Sequence, residues 1–487
     1  MAEIVPFRGI FYNLDRIGDA EKVVTPPYDV ISAEEQEMYY GRSDYNIIRL
    51  ILGKEFEGDN EVNNRYTRAA AFYNGWRDEG ILVEDSSPAL YVYEQDYIIN
   101  TGIGPSTGMS RDVDGDAGAG GGPRKKVTGV IGAVKLEEFD KGVILPHEDT
   151  LPGPKQDRLE LMRATGANFS PIFALYSDAE RRVDRLIQQI TQTLPRIDMI
   201  DGAGTRHRLW SISNPGLIYL IVKEFRRKQL FIADGHHRYE TALVYRNEMR
   251  RRANSEKDLA SVEAGWGAPY EYIMMLLVNM DTEGLTVLPT HRLIGDAPEL
   301  HEYIDSAGGS PESGARAGAG PGAIAEKLAG LVGPVFNLRT FDDLEGALDE
   351  MSRARAFICY FGHKQYCLLT MRDDEVTSRR VGDIFDAAGV TQRLRRELDV
   401  AILHVVLLGH FFSISDESFK QRGAYTRDAA EAIRLVDEGK FKAAFLVNPT
   451  RLDQIAAIAS AGEKMPQKST YFYPKPLTGL VIRSLIR

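Results

Sequence analysis

Residues 230–246 read LFIADGHHRYETALVYR, and this stretch constrains the fold more than any other. A short apolar run rich in strand formers stops at Asp234-Gly235. From Tyr239 onward the apolar positions Ala242, Leu243 and Met249 fall near helical spacing with charges between them. A strand therefore hands over to a helix across Asp234, Gly235, His236, His237 and Arg238. Together with the runs below, this suggests α/β or α+β layers around mixed sheets. Upstream, GLIYLIV, the polar KEFRRK and QLFIAD read as a hairpin feeding this helix. Other strand-like runs are ALYVYEQ, GVIGAV and PIFALYS. Helical patterns are SAEEQEMYYGR, KQDRLELMRAT, AERRVDRLIQQITQTL and FDDLEGALDEMSRAR. The expected class is α/β in the mixed α+β sense.

A helix N-terminus presents N–H groups without intrahelical partners and a partial positive charge, and anions bind there. Gly235 permits close approach of a ligand to the backbone. Arg238 offers a two-pronged donor to phosphate oxygens, and Asp234 is expected to cap the helix or to hold a magnesium ion. The turn thus reads as a phosphate site, set against the alternative of a capped helix carrying two half-exposed histidines.

Four of the nine histidines lie in polar clusters of this kind: His147, His236, His237 and His291. LPHEDTLPGPKQDR gathers His147, Glu148, Thr150, Lys155, Asp157 and Arg158 in a proline-stiffened loop before a helix. LPTHRLI sets His291 and Arg292 in an apolar frame. TPPYDVIS places Asp29 between a Pro-Pro turn and a helix opened by the capping box Ser32–Glu35, where a carboxylate can act as a base. MPQKSTYFYPK offers Lys468, Ser469 and Thr470, an echo of a phosphate loop without its glycines. No histidine pair has the i, i+4 spacing of a helical zinc motif, so a metal site is the second reading.

The length of 487 residues suggests more than one domain. The 59 basic residues against 70 acidic ones leave a net charge of −11, which argues against a general nucleic-acid binder. Cys359 and Cys367 flank a polar turn in AFICYFGHKQYCLLTM and read as buried residues of a hairpin. The opening MAEIVPFRGIFYN lacks the pattern of a signal peptide, and the apolar run VAILHVVLLGHFF is short for a membrane span. A cytoplasmic protein outside any membrane is expected. The segments DVDGDAGAGGGPRKK and GGSPESGARAGAGPGA are glycine-rich and read as flexible excursions.

The set VPFRGIFYN, TPPYDVIS, YNIIRLIL, LPHEDT, ADGHHRYETAL, LPTHRLI and MPQKSTYFYPKPLTGL resembles the domain-of-unknown-function family ten-fifteen over nearly the whole chain. The D-G-H-H-R turn also resembles the phosphate-binding motif of the ParB/sulfiredoxin-like fold, which includes free-serine kinases. The resemblance implies a ParB/sulfiredoxin-like nucleotide-binding domain over residues 1–265, with a glycine-rich excursion at 102–126. A C-terminal α/β domain would follow over 266–487, with a flexible insertion at 308–323. It implies a kinase that moves a phosphoryl group from ATP or ADP, with Mg2+, to the hydroxyl of a free amino acid, L-serine first. Asp234, Gly235, His236, His237 and Arg238 would hold the phosphates, Asp234 would hold the metal, and Asp29 and His237 would be catalytic. An aspartate here stands where the kinases carry a glutamate base. His147, Glu148, Lys155, Arg158, His291, Arg292, Lys468, Ser469 and Thr470 are the candidates for substrate binding. The expected partners are nucleotide and small-molecule substrate, with a homodimer allowed. A metal-dependent phosphohydrolase or nuclease and a nucleotide-gated ParB-like binding protein are the alternatives.

Overall fold

A computed structural model describes residues 1–99, 122–150, 152–256, 267–300 and 321–486. It is a mixed α+β protein, and its described chain divides into two compact units. The first contains residues 1–98, 123–286 and 472–487; the second contains residues 287–471. The division expected after residue 265 is therefore displaced. Strand Tyr272–Asn279 lies inside the first unit's sheet, parallel to Ile172–Tyr176 and antiparallel to Arg124–Lys135. A boundary at 265 would remove a central strand whose eight residues are all buried. The last residues also return to the first unit, where Ile482–Ser484 pairs with Gly9–Tyr12 and Ala167–Asn168. Most of the two glycine-rich excursions, at 102–121 and 308–320, lies outside the described residues.

The main sheet of the first unit runs Ile144–Leu145, Leu230–Asp234, Ile172–Tyr176, Tyr272–Asn279, Arg124–Lys135, Leu90–Ile98, Arg206–Ile212, Ile197–Ile200, with Ile4–Val5 also paired to Arg124–Lys135. Leu230–Asp234 pairs parallel to Ile144–Leu145 and antiparallel to Ile172–Tyr176. Its register shifts between Ile232 and Asp234. A bulge of this kind re-aims side chains at a strand end, here immediately before the polar turn. Ile172, Ala174, Leu230, Ile232, Tyr239 and Ala242 belong to one apolar core that anchors both arms of the turn.

The strand-like runs ALYVYEQ, GVIGAV, PIFALYS and QLFIAD fall in strands Leu90–Ile98, Arg124–Lys135, Ile172–Tyr176 and Leu230–Asp234, and the helix Ala33–Arg42 is present with its reciprocal Ser32–Glu35 capping box. The exception is GLIYLIV, which is helix Pro215–Phe225 and not half of a hairpin. Asn214 accepts from the Leu217 N–H at 3.0 Å, and Pro215 sits in the first turn, where its missing N–H costs nothing. Leu217, Ile221, Val222 and Phe225 then bury one face. Burial of that stripe outweighs the modest strand preference of isoleucine and valine.

The second unit carries a six-stranded sheet, Phe336–Phe341, Tyr366–Met371, Ala356–Tyr360, Ala443–Val447, His291–Ile294, Gly423–Thr426, in that order. Cys359 and Cys367 face one another across its antiparallel hairpin, both free and buried. Burial raises both thiols, Cys367 to about 12, so neither carries a reactive thiolate at neutral pH. No single helix among the described residues is long and apolar enough to cross a membrane. One bent pair, Asp399–Phe411 with Asp416–Arg422, meets the criterion by length and composition only.

Candidate functional site

The turn forms as its residues dictate. Gly235 has φ +98°, a conformation L side chains rarely adopt, and helix His236–Glu256 starts at the next residue. A Cβ at Gly235 would lie 3.0 Å from the Arg238 guanidinium, so the glycine is needed for space as well as for backbone. Arg238 folds back over it. Its Nη1 donates to Ser170 Oγ at 2.8 Å and to the Pro171 carbonyl at 2.7 Å, and its Nη2 donates to Asp234 Oδ2 at 2.7 Å. The expectation of an arginine reaching outward to clasp phosphate is corrected: this guanidinium is 8% exposed and spends three donors on the turn itself.

The second oxygen of Asp234, Oδ1, accepts from Lys475 Nζ. Lys475 was missed at the sequence level, although it stands in the same YPKP stretch that carries the family resemblance. Burial would raise the Asp234 carboxyl; Lys475 first and Arg238 second overcome this and hold it well below the usual carboxylate range. Asp234 therefore does not fit a magnesium ligand, since both of its oxygens face cations. No group of three His, Cys, Asp or Glu among the described residues could hold a metal ion.

The stretch LPHEDTLPGPKQDR packs on the same helix, and a correction applies to it: Lys155, Asp157 and Arg158 lie within helix Pro152–Thr165 and not in a loop before it. The His147 N–H donates to His236 Nε2 at 3.3 Å, and the two rings meet edge to face at 4.7 Å. His236 and His147 are 6% and 0% exposed. Thr150 Oγ1 and Lys155 Nζ both reach Glu240 Oε2, at 2.7 and 2.9 Å. Lys155 is thus tied to a helix carboxylate that the sequence did not mark out. Glu148 and His237 are half-buried beside these groups in the chain.

Arg158 stacks on the Tyr28 ring, 3.9 Å from its centroid, and donates from Nη1 to the Ile51 carbonyl at 2.8 Å. It also pairs with Asp157, which in turn accepts from Arg65 at 2.6 Å and Tyr66 at 2.8 Å. Tyr28, Arg158, Ser170 and Arg238 line one pocket, whose floor includes Ile51, Met162 and Ile172. Its empty space, mouth included, is about 520 Å³. Burial raises the Tyr28 phenol; the Arg158 and Arg238 cations oppose this, and the Asp29 and Asp157 carboxylates add to it. Asp29 and the D-G-H-H-R turn, some two hundred residues apart in sequence, act on the same phenol. Asp29 is exposed and makes no hydrogen bond or ion pair among the described residues.

The remaining candidates lie in the second unit. Arg292 is fully buried, donating to His404 Nε2 at 3.0 Å and to the Thr290 and Lys468 carbonyls. His291 Nδ1 accepts from the Val447 N–H at 3.3 Å, and burial, with the charge of Arg292, pushes its pKa down to about 3. Both are satisfied core residues of strand His291–Ile294, a correction to their expected role in substrate binding. Ser469 is buried: its hydroxyl donates to the Pro466 carbonyl, and its own carbonyl accepts from Thr450 at 3.0 Å. Lys468 is exposed with φ +57°, and half-buried Thr470 leads into strand Tyr471–Tyr473. No helix begins at this trio, so the echo of a phosphate loop has no helix N-terminus behind it.

The chain matches the family described as "Protein of unknown function (DUF1015)" over residues 4–109 and 118–401, and it belongs to that family. No curated protein matches it in sequence. Among solved structures it is similar to a free serine kinase in complex with AMP, at 13% identity and a TM-score of 0.30, covering 71% of this chain and 86% of that one. A conserved hypothetical protein from Pyrococcus furiosus matches at 13% identity and a TM-score of 0.29, covering 73% and 95%. SbnI from Staphylococcus aureus, truncated at its C-terminus, matches at 10% identity and a TM-score of 0.31, covering 72% and 85%. Likenesses at these TM-scores carry no weight for fold or function.

Proposed function

We propose that the chain is a small-molecule kinase that moves a phosphoryl group from ATP or ADP to the hydroxyl of a free amino acid, with L-serine as the first acceptor to test. The observation that carries this reading is the pocket shared by Tyr28 and Arg238, which sets the Asp29 segment beside a glycine-started helix N-terminus. Phosphoryl transfer asks a protein for positioning, charge neutralisation and a group to take the hydroxyl proton. The turn and the first N–H groups of helix His236–Glu256 receive the phosphates, in the manner of a ParB/sulfiredoxin-like turn. The acceptor oxygen bonds to phosphorus as the bond to the nucleotide oxygen breaks, and Asp29 takes the hydroxyl proton. The exposed, unpaired carboxylate of Asp29 suits that step. The choice of acceptor rests on the resemblance of D-G-H-H-R to the free-serine kinases.

The test is incubation with ATP or ADP, magnesium and pooled amino acids, with products read by mass spectrometry. A phosphorylated amino acid, formed only when both nucleotide and acceptor are present, is the expected result. Nucleotide hydrolysis indifferent to acceptor would replace the kinase by a hydrolase. Binding without turnover would leave a nucleotide-gated binding protein.

A further inference from the structure

We propose that Lys475 is a positioning residue of the phosphate turn, acting through Asp234, and that the segment carrying it sets the Asp29 loop and the turn in register. The inference rests on the phosphate-turn reading above and assigns a role to a residue that the motifs did not point to.

The argument starts from burial. The side chains of Asp234 and Lys475 are 14% and 10% exposed. A carboxylate in such a place is costly without a partner, and the turn supplies two, Arg238 on one oxygen and Lys475 on the other. Arg238 alone would leave a neutral pair beneath the helix N-terminus. With Lys475 added, the three groups sum to one positive charge where an anion would arrive. The double clamp also fixes the carboxylate, and through it the backbone of Asp234 and Gly235.

The surrounding chain shows why Lys475 is held so firmly. Its carbonyl accepts from Gln95 Nε2 at 3.0 Å, and the Leu477 N–H reaches the Tyr93 hydroxyl at 3.4 Å. Thr478 and Thr25 exchange backbone hydrogen bonds of 2.8 and 3.3 Å, and the Gly479 N–H donates to the Phe169 carbonyl at 3.0 Å. Thr25 immediately precedes Pro26-Pro27-Tyr28-Asp29. Five residues, 475–479, therefore grip the base segment at one end and the phosphate turn at the other. Phe169 neighbours Ser170, the residue that accepts from Arg238. One short segment thus bonds to the phosphate turn, to Thr25 ahead of the Asp29 loop and to Phe169 beside Ser170.

The experiment is a double-mutant cycle on the full chain with Lys475→Met, Asp234→Asn and both together, plus Lys475→Arg as the conservative variant. Affinity for ADP is read by calorimetry, with circular dichroism confirming that each variant is folded. Lys475→Met and Asp234→Asn are each expected to weaken ADP binding at least tenfold. The double variant should be no weaker than the worse single one, and Lys475→Arg should recover most of the loss. Lys475→Met should also make ADP binding fall away at a higher pH on acidification than in the wild type, because Asp234 has lost the stronger of its two cations. A purely structural lysine would not move that pH limb. Unchanged affinity in Lys475→Met, or losses that add in the double variant, would overturn the proposal. If wild-type protein binds no ADP, the kinase reading fails on its own, and the same four proteins are titrated with inorganic pyrophosphate. The same coupled pattern would keep the role of Lys475 as part of an anion site, and absence of pyrophosphate binding to the wild type would end it.

Discussion

The chain places a histidine directly before an arginine at His237-Arg238 and at His291-Arg292, and these two pairs have different fates. In the first unit the pair opens a helix after a left-handed glycine, and the arginine guanidinium is shared between a carboxylate, a hydroxyl and a carbonyl. In the second unit the pair sits within a strand whose four residues are all buried. There the arginine meets two carbonyls and a neutral histidine, and His291 is spent accepting a backbone N–H. Identical chemistry makes a candidate anion site where the backbone ends a strand at a helix, and a satisfied core where the backbone runs on. Residue type alone does not separate them. The backbone carrying the residues does.

The largest effect expected from breaking this contrast is at Asp29. Asp29→Asn should preserve ADP affinity and lower turnover by the ~10²–10⁴-fold typical of a lost general base. Turnover with saturating nucleotide and acceptor checks this, and a wild-type rate would remove Asp29 as the base. A direct comparison of the arginines comes next. Arg238→Met should cost about 3–5 kcal/mol of stability, the range for breaking a buried ion pair, and Arg292→Met, which strands neutral acceptors and no carboxylate, about 1–3 kcal/mol, both measured by denaturant unfolding. Only Arg238→Met should also weaken ADP binding. Equal effects on ADP would erase the distinction between the two sites.

Gly235→Ala should cost ~1–3 kcal/mol, because it combines a strained backbone with a Cβ 3.0 Å from the Arg238 guanidinium. Its ADP affinity should drop with it, whereas a thermal melt indistinguishable from wild type would show the turn to be tolerant. The pH dependence contributed by His291 probes the second pair on its own. Its folded pKa of about 3 lies below the ordinary value of 6.5. The unfolded chain therefore takes up a proton that the folded chain refuses. The contribution of His291 is fully present above pH 6.5 and is lost as pH falls toward 3, at up to about 1.4 kcal/mol per pH unit. Stability curves of wild type and His291→Gln should converge on acidification through that window. Parallel curves would mean that His291 is not held neutral by burial.

Much of the local structure was legible in the residues themselves. The Ser32–Glu35 box starts a helix because both of its hydrogen bonds lie within four residues. The strand and helix on either side of Asp234-Gly235 follow from apolar spacing and from a glycine that can take φ +98°. The facing cysteines follow from hairpin symmetry. GLIYLIV misled because β-branched residues favour a strand locally, while the Asn214 cap and a buried face four residues in period favour a helix. Long-range electrostatics was not legible. Nothing in the spacing says that Lys475 will meet Asp234 across 241 residues, that Arg238 will turn inward, or that Arg292 will be fully buried. The sequence by itself determined where a strand would hand over to a helix and which chemically capable groups would stand at that turn, because caps, glycine conformations and apolar periods act over a few residues. Only the tertiary structure decided which charges are spent on one another and which face the pocket, because the energy of a buried charge depends on partners that the fold delivers from anywhere in the chain.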